Sequence, residues 1–194
     1  MPARHLALPL ALALASCGVN SIPTAEENAK AKWADVQAAY QRRADLIPNL
    51  AATTKGAAAS ERQILTEVAN ARARATQVQV SPGELTDPAK MQQYANAQAG
   101  LSAALVQLRP LQEAYPDLKS QANFSTFMQQ LESTENRINI NIRDYNEAVQ
   151  AYNTRIRTFP DAIGAKVFYG AKPMTPFQAV TPGANQAPKV DFGT

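Results

Sequence analysis

The chain has 194 residues, a formal net charge of +3, 18% charged residues and 45% hydrophobic residues. That length holds one domain with a sizeable core and is short for two. A charge this small and this evenly mixed does not imply a nucleic-acid partner, and the scarcity of β-branched runs and alternating patterns points to an all-α chain.

Arg4 and His5 precede an apolar run from Leu6 to Ala15. A membrane-spanning helix needs about 20 such residues, so the run reads as the h-region of an export signal over residues 1–16. It ends in Leu14-Ala15-Ser16-Cys17, which resembles a bacterial lipobox with Cys17 acylated as the first mature residue. The alternative is an ordinary cleaved signal with a stray cysteine. Cys17 is the only cysteine, so an intramolecular disulfide is impossible. Gly18, not Asp, follows it. By resemblance to Gram-negative lipoproteins this implies the outer membrane facing the periplasm, with the periplasmic side of the inner membrane as the alternative.

Residues 17–24 form the lipidated N-terminus and a spacer. From Ala25 the sequence is helical, with Trp33, Val36, Tyr40, Ile47 and Leu50 on one face. Pro48, with Asp45 as a candidate N-cap, predicts a kink or a short break at 45–48. Ser60-Glu61-Arg62-Gln63 has the form of a capping box. It opens a helix whose apolar side carries Ile64, Leu65, Val68, Ala71, Ala75 and Val78. Ser81-Pro82-Gly83 is a turn, and Asp87-Pro88 starts a third helix that runs to about Tyr115 and buries Met91, Tyr94, Leu101, Leu105, Leu108 and Leu111. Pro110 kinks that helix or ends it early, and Tyr115-Pro116 forces the next bend.

The strongest pattern lies between Phe124 and Phe159, in a helix that Asn123 can cap. Phe124, Leu131, Ile138, Tyr145, Tyr152 and Phe159 recur at seven-residue steps, as do Met128, Glu135, Ile142, Val149 and Ile156 four residues out of phase. A 3.5-residue period keeps one stripe of a helix against partner helices. Four helical segments joined by short turns give an antiparallel up-down four-helix bundle with long helices and coiled-coil-like seams over 25–159. The Gly/Pro-rich remainder, 160–194, reads as an extended C-terminal tail that lays Phe168, Tyr169 and Phe177 on the bundle surface.

Several blocks together resemble the LemA family: residues 42–50 (Arg42 to Leu50), Ala114 to Lys119, Leu131 to Ile138, Tyr145-Asn146 through Tyr152-Asn153 to Phe159-Pro160, and Pro188 to Phe192. The resemblance implies a helical bundle attached to a membrane, with its domain outside the cytoplasm and no established catalytic activity. Family members usually begin with an uncleaved apolar helix where this chain has the lipobox, and Pro110 interrupts a stretch that is usually a smoother helix.

His5 is the only histidine and leaves with the signal, while lipid blocks Cys17. The mature domain therefore lacks Ser-His-Asp and Cys-His catalysis, His-ligated zinc and the Glu-x-x-His di-iron arrangement. No Gly-rich phosphate loop occurs. We thus expect no catalytic residue, no metal ligand, no cofactor and no small-molecule substrate.

Glu135 is the polar residue of the seam, with Glu132, Arg137 and Arg143 near it in sequence. Either Glu132 and Glu135 form a carboxylate site for a hard cation or acid/base work, or Glu135 pairs with an arginine of the first helix, beside Arg42, Arg43 and Asp45, and sets helix register. Tyr145-Asn146 and Tyr152-Asn153 look like a binding ladder, although their heptad spacing equally suits core packing. The functional expectation is a non-catalytic scaffold or adaptor, tethered through Cys17 and presenting a helix face or the tail to a protein partner. The alternatives are a carboxylate metal-binding protein or enzyme, and a lipid-binding or membrane-shaping protein.

Overall fold

The computed structural model describes residues 20–53, 59–108 and 122–179. Among them every regular element is helical: α1 (Ser21–Thr53), α2 (Ala59–Gln77), a 3-10 turn (Pro82–Glu84), α3 (Pro88–Val106), α4 (Ala122–Arg155), the short α5 (Asp161–Gly164) and a π-helical turn (Ala165–Tyr169). None of the described helices is long and apolar enough to cross a membrane. The chain divides into two compact units. Among the described residues, the first takes in 20–39, 80–91 and 137–177, and the second 40–53, 59–79, 92–108, 122–136 and 178–179. α1, α3 and α4 each contribute to both.

Helix α1 buries Ile22, Ala29, Trp33, Val36, Ala39, Tyr40, Arg43, Ala44 and Ile47. The expected break at 45–48 does not occur: α1 continues through Pro48. Asp45 is no N-cap, and its carboxylate accepts from Gln41 Nε2 at 2.7 Å. The reason the helix tolerates Pro48 lies elsewhere in the chain. A proline has no N–H to give to the carbonyl four residues back, and that carbonyl, of buried Ala44, accepts instead from Arg72 Nε on α2 at 2.7 Å.

In the second unit, Ile47, Val68, Ala71, Ala75, Leu101, Leu105, Leu108, Phe124, Phe127 and Leu131 form a continuous core, with Ile64, Leu65 and Met128 half-buried against it. Met91 and Tyr94 are buried too. The start of α3 has the predicted form. Pro88 occupies the first turn, and Asp87 Oδ1 accepts from the N–H groups of Ala89 (2.9 Å) and Lys90 (3.3 Å). The Ser60 capping box, Leu50, Pro110, Leu111 and the Tyr115 bend lie outside the described residues or side chains. Helix α4 begins at Ala122, so Asn123 falls within it.

The seam of α4 is inward-facing at Phe124, Leu131, Ile138, Ile142, Tyr145, Val149 and Tyr152. Its last expected member fails. Phe159 is 82% exposed, because α4 ends at Arg155 and the helical register stops before reaching it. The tail also departs from expectation. Residues 160–177 belong to the first unit, where Met174 and Phe177 are core residues.

Candidate functional site

Two polar constellations stand out, one in each unit. In the first unit, the chain after Gly170 runs as an extended strap along α4. Asn146 grips the backbone of Phe177 on both sides: its Nδ2 donates to the carbonyl at 2.8 Å and its Oδ1 accepts from the N–H at 2.8 Å. Asn153 does the same to Met174, at 2.8 and 2.9 Å. Tyr145 OH donates to Thr175 O at 2.9 Å, and Tyr152 OH to Lys172 O at 3.1 Å.

The spacing follows from two rises. Seven helical residues advance about 10.5 Å, and three extended residues advance about 9 to 10 Å. The Tyr-Asn pair repeated every seven residues therefore meets the strap every three, with the two segments antiparallel. Accordingly Met174 and Phe177 face inward, while Pro173 and Pro176 face solvent. An extended segment makes no regular hydrogen bonds within itself, so its backbone is satisfied from outside, here by side chains of α4 and by the Leu85 carbonyl.

Trp33 of α1 completes this centre. Its ring lies 5.1 Å from that of Tyr145 and 5.5 Å from that of Phe177, and its Nε1 donates to Val80 O at 3.0 Å. The strap is tied to the same loop, since Thr175 N–H donates to Leu85 O at 2.8 Å. Burial pushes the Tyr145 and Tyr152 hydroxyls above their ordinary pKa.

In the second unit, Arg43 is 1% exposed. Its Nη1 donates to Ser102 Oγ at 2.7 Å and to Glu135 Oε1 at 2.8 Å. Its Nη2 donates to the carbonyl and the side-chain oxygen of Gln98 at 3.2 and 2.9 Å. Gln98, itself buried, donates onward from Nε2 to Ala75 O at 3.2 Å. One guanidinium thus links α1, α3 and α4, and Gln98 extends the link to α2. The Arg43 guanidinium carbon lies 4.9 Å from the centre of the Tyr40 ring, and Tyr40 meets Tyr94 edge-on at 5.7 Å. Burial, opposed in part by the charge of Arg43, raises the Tyr40 hydroxyl to about 12; burial raises Tyr94 further. Arg43 Nε is buried with no acceptor among the described residues.

The structure therefore joins Arg43 to Glu135 and leaves Asp45, Glu132 and Arg137 exposed and apart from that pair. It brings Tyr145, Asn146, Tyr152 and Asn153 together on the strap. Cys17 lies outside the described residues. Sequence reasoning missed Gln98, Ser102 and Arg72, which carry no local signal, and it laid an extended tail on the bundle without pairing it to the Tyr-Asn repeat. There a signal existed: Met174 and Phe177 stand three apart with a proline before each.

The LemA family model matches residues 32–192. Two magnetosome proteins of Paramagnetospirillum magneticum (strain ATCC 700264 / AMB-1), MamQ 2 and MamQ 1, are each 27% identical to this chain over 157 residues. The alignment takes in 73% of this chain and 58% of the relative in both cases, so this chain spans little more than half the length of those relatives.

Proposed function

The chain belongs to the LemA family, and from that premise we propose that it is a non-catalytic helical scaffold, held at the periplasmic face of a membrane by acyl chains on Cys17. Its helices are read as an antiparallel up-down four-helix bundle, a reading supported by the Arg43 and Gln98 network that ties α1, α2, α3 and α4. The bundle and strap would present a surface to a protein partner, with the acyl anchor raising the effective concentration of that surface at the membrane.

One observation carries the reading. Most of the candidate side chains among the described residues, Arg43, Glu135 and the two Tyr-Asn pairs, are committed to holding the chain together. Arg43 and Glu135 bind each other, and the two Tyr-Asn pairs bind the strap backbone. The carboxylate alternative is disfavoured on the same ground, because a guanidinium lies 2.8 Å from Glu135 Oε1 and already balances its charge. The magnetosome relatives are named for a cellular structure, not for a reaction, in keeping with a scaffold.

The test is proximity crosslinking of the acylated protein in its native envelope, followed by pull-down, with Cys17→Ala as the control. The expected result is a discrete protein enriched with the anchored form alone. Equal recovery with both forms would remove the anchor from the reading, and no enrichment over background would remove the adaptor role.

A further inference from the structure

The segment that follows α4 is apolar on its outside. Phe159, Ile163, Val167 and Phe168 are 82%, 57%, 67% and 69% exposed. Val167 and Phe168 follow Ile163 by four and five residues, about one turn along α5 and the π-helical turn, so the two flank the side that Ile163 faces. The opposite side is used internally: Ala165 is buried, and a Cβ on Gly164 would lie 3.7 Å from Ile22 Cδ1. A cluster of large exposed apolar side chains marks a surface meant for something other than water.

Its place in the chain says what that something is. Asp161 Oδ2 accepts from Ser21 Oγ at 2.6 Å, so the apolar corner is fastened to the first turn of α1. Cys17 stands four residues before Ser21, and four residues reach at most ~14 Å when fully extended. An acyl group on Cys17 would therefore keep Ser21 within about that distance of the lipidated residue, and with it Asp161 at the edge of this corner near the bilayer surface. The charges around it suit an anionic surface. Arg157, Lys166 and Lys172 are exposed and Arg155 is 49% exposed, while Asp161, the single acid between residues 155 and 172, is engaged by Ser21 and by Arg155 at 3.9 Å.

We propose that Phe159, Ile163, Val167 and Phe168 insert into the headgroup layer of a membrane containing anionic lipid, with Arg157, Lys166 and Lys172 on the phosphates, as a second contact beside the acyl anchor. The inference rests on the anchored reading above. Acyl chains on Cys17 fix where the protein is held but not how it is turned, and a neighbouring apolar and basic surface adds to the attachment and sets the orientation of the first unit.

The experiment uses the full acylated chain on vesicles of equimolar phosphatidylglycerol and phosphatidylethanolamine. Lipid consumes the Cys17 thiol, so an environment-sensitive fluorophore can be placed on Phe168→Cys and, for comparison, on Arg74→Cys, an exposed position of α2. The expected result is a blue-shifted probe at 168, quenched several-fold more strongly by spin-labelled lipid than the probe at 74. A probe at 168 that stays in water while the chain floats with the vesicles overturns the docking and leaves the anchor intact. Water exposure on vesicles combined with shielding in native envelopes assigns the corner to a protein, and also overturns it. A chain that fails to float with vesicles overturns the docking and the anchored reading together.

Discussion

Replacing Asn146 with alanine removes both hydrogen bonds to the backbone of Phe177, each of 2.8 Å. Phe177 is 1% exposed, so its N–H and carbonyl have little access to water in the folded state. A hydrogen bond contributes about 0.5 to 1.5 kcal/mol net, whereas a buried group left unsatisfied costs about 1 to 3 kcal/mol. Asn146 is itself half-buried, and part of the gap it leaves can hydrate. The sum is about 2 to 4 kcal/mol if the strap stays seated on Asn153, Tyr145 and Tyr152. Full release would add the exposure of Met174 and Phe177, roughly 1.5 to 3 kcal/mol for each side chain. The assay is native-state hydrogen exchange read at the Phe177 amide, whose proton Asn146 Oδ1 accepts, together with urea unfolding. Protection there should fall roughly 30-fold to 1,000-fold. Asn146→Asp keeps an acceptor for the Phe177 N–H but sets a carboxylate oxygen against the Phe177 carbonyl, so it should cost at least as much. Unchanged protection at Phe177 in a folded Asn146→Ala protein would refute the view that α4 holds the strap by its backbone.

Further outcomes follow from other contacts. Arg43→Ala should lower stability by about 3 to 5 kcal/mol, because it strips a buried network. Glu135→Ala should cost only about 1 to 2 kcal/mol, since the Glu135 side chain is 38% exposed and Arg43 keeps Ser102 and Gln98; a melting temperature unaffected by Glu135→Ala would sink the register role of the pair. Arg72→Met should cost about 1 to 3 kcal/mol by orphaning the Ala44 carbonyl. Pro48→Ala should recover much of that loss by restoring a helical donor, and strictly additive effects in the double-mutant cycle would show that the two residues do not serve the same carbonyl. Burial raises the Tyr40 hydroxyl from near 10 to about 12. Its folded pKa lies above its unfolded one, so the associated stability is complete below pH 10 and disappears as pH rises through 12. A two-unit shift corresponds to about 3 kcal/mol. Tyrosinate absorbance and helical circular dichroism should therefore change together in that window, and ionisation of Tyr40 well before loss of helix would contradict its burial.

The helices and their inward faces were legible because a helix repeats every 3.6 residues and writes its buried side into the spacing of its own apolar positions. Asp87-Pro88 marks the start of α3 for an equally local reason, since the cap and the amides it serves are adjacent in sequence. Glu135 drew attention as the polar member of an apolar seam, and that oddity led to Arg43.

What escaped the sequence depends on groups far apart in the chain. Pro48 reads as a break until Arg72, on another helix, is seen supplying the donor that proline lacks. Gln98 sits in an Ala-rich helix with no mark of burial, and only Arg43 and Ala75 explain it. Phe159 and Phe177 exchange their expected places because α4 ends at Arg155 and the chain then turns back along the helix it has just left.

The strap shows the division most clearly. The sequence by itself determined the two halves of the match, a Tyr-Asn pair every seven residues on α4 and an inward residue every three beyond Gly170. Tertiary structure alone decided that they belong together, because an extended segment makes no regular hydrogen bonds within itself and takes its conformation from the partner that satisfies its backbone.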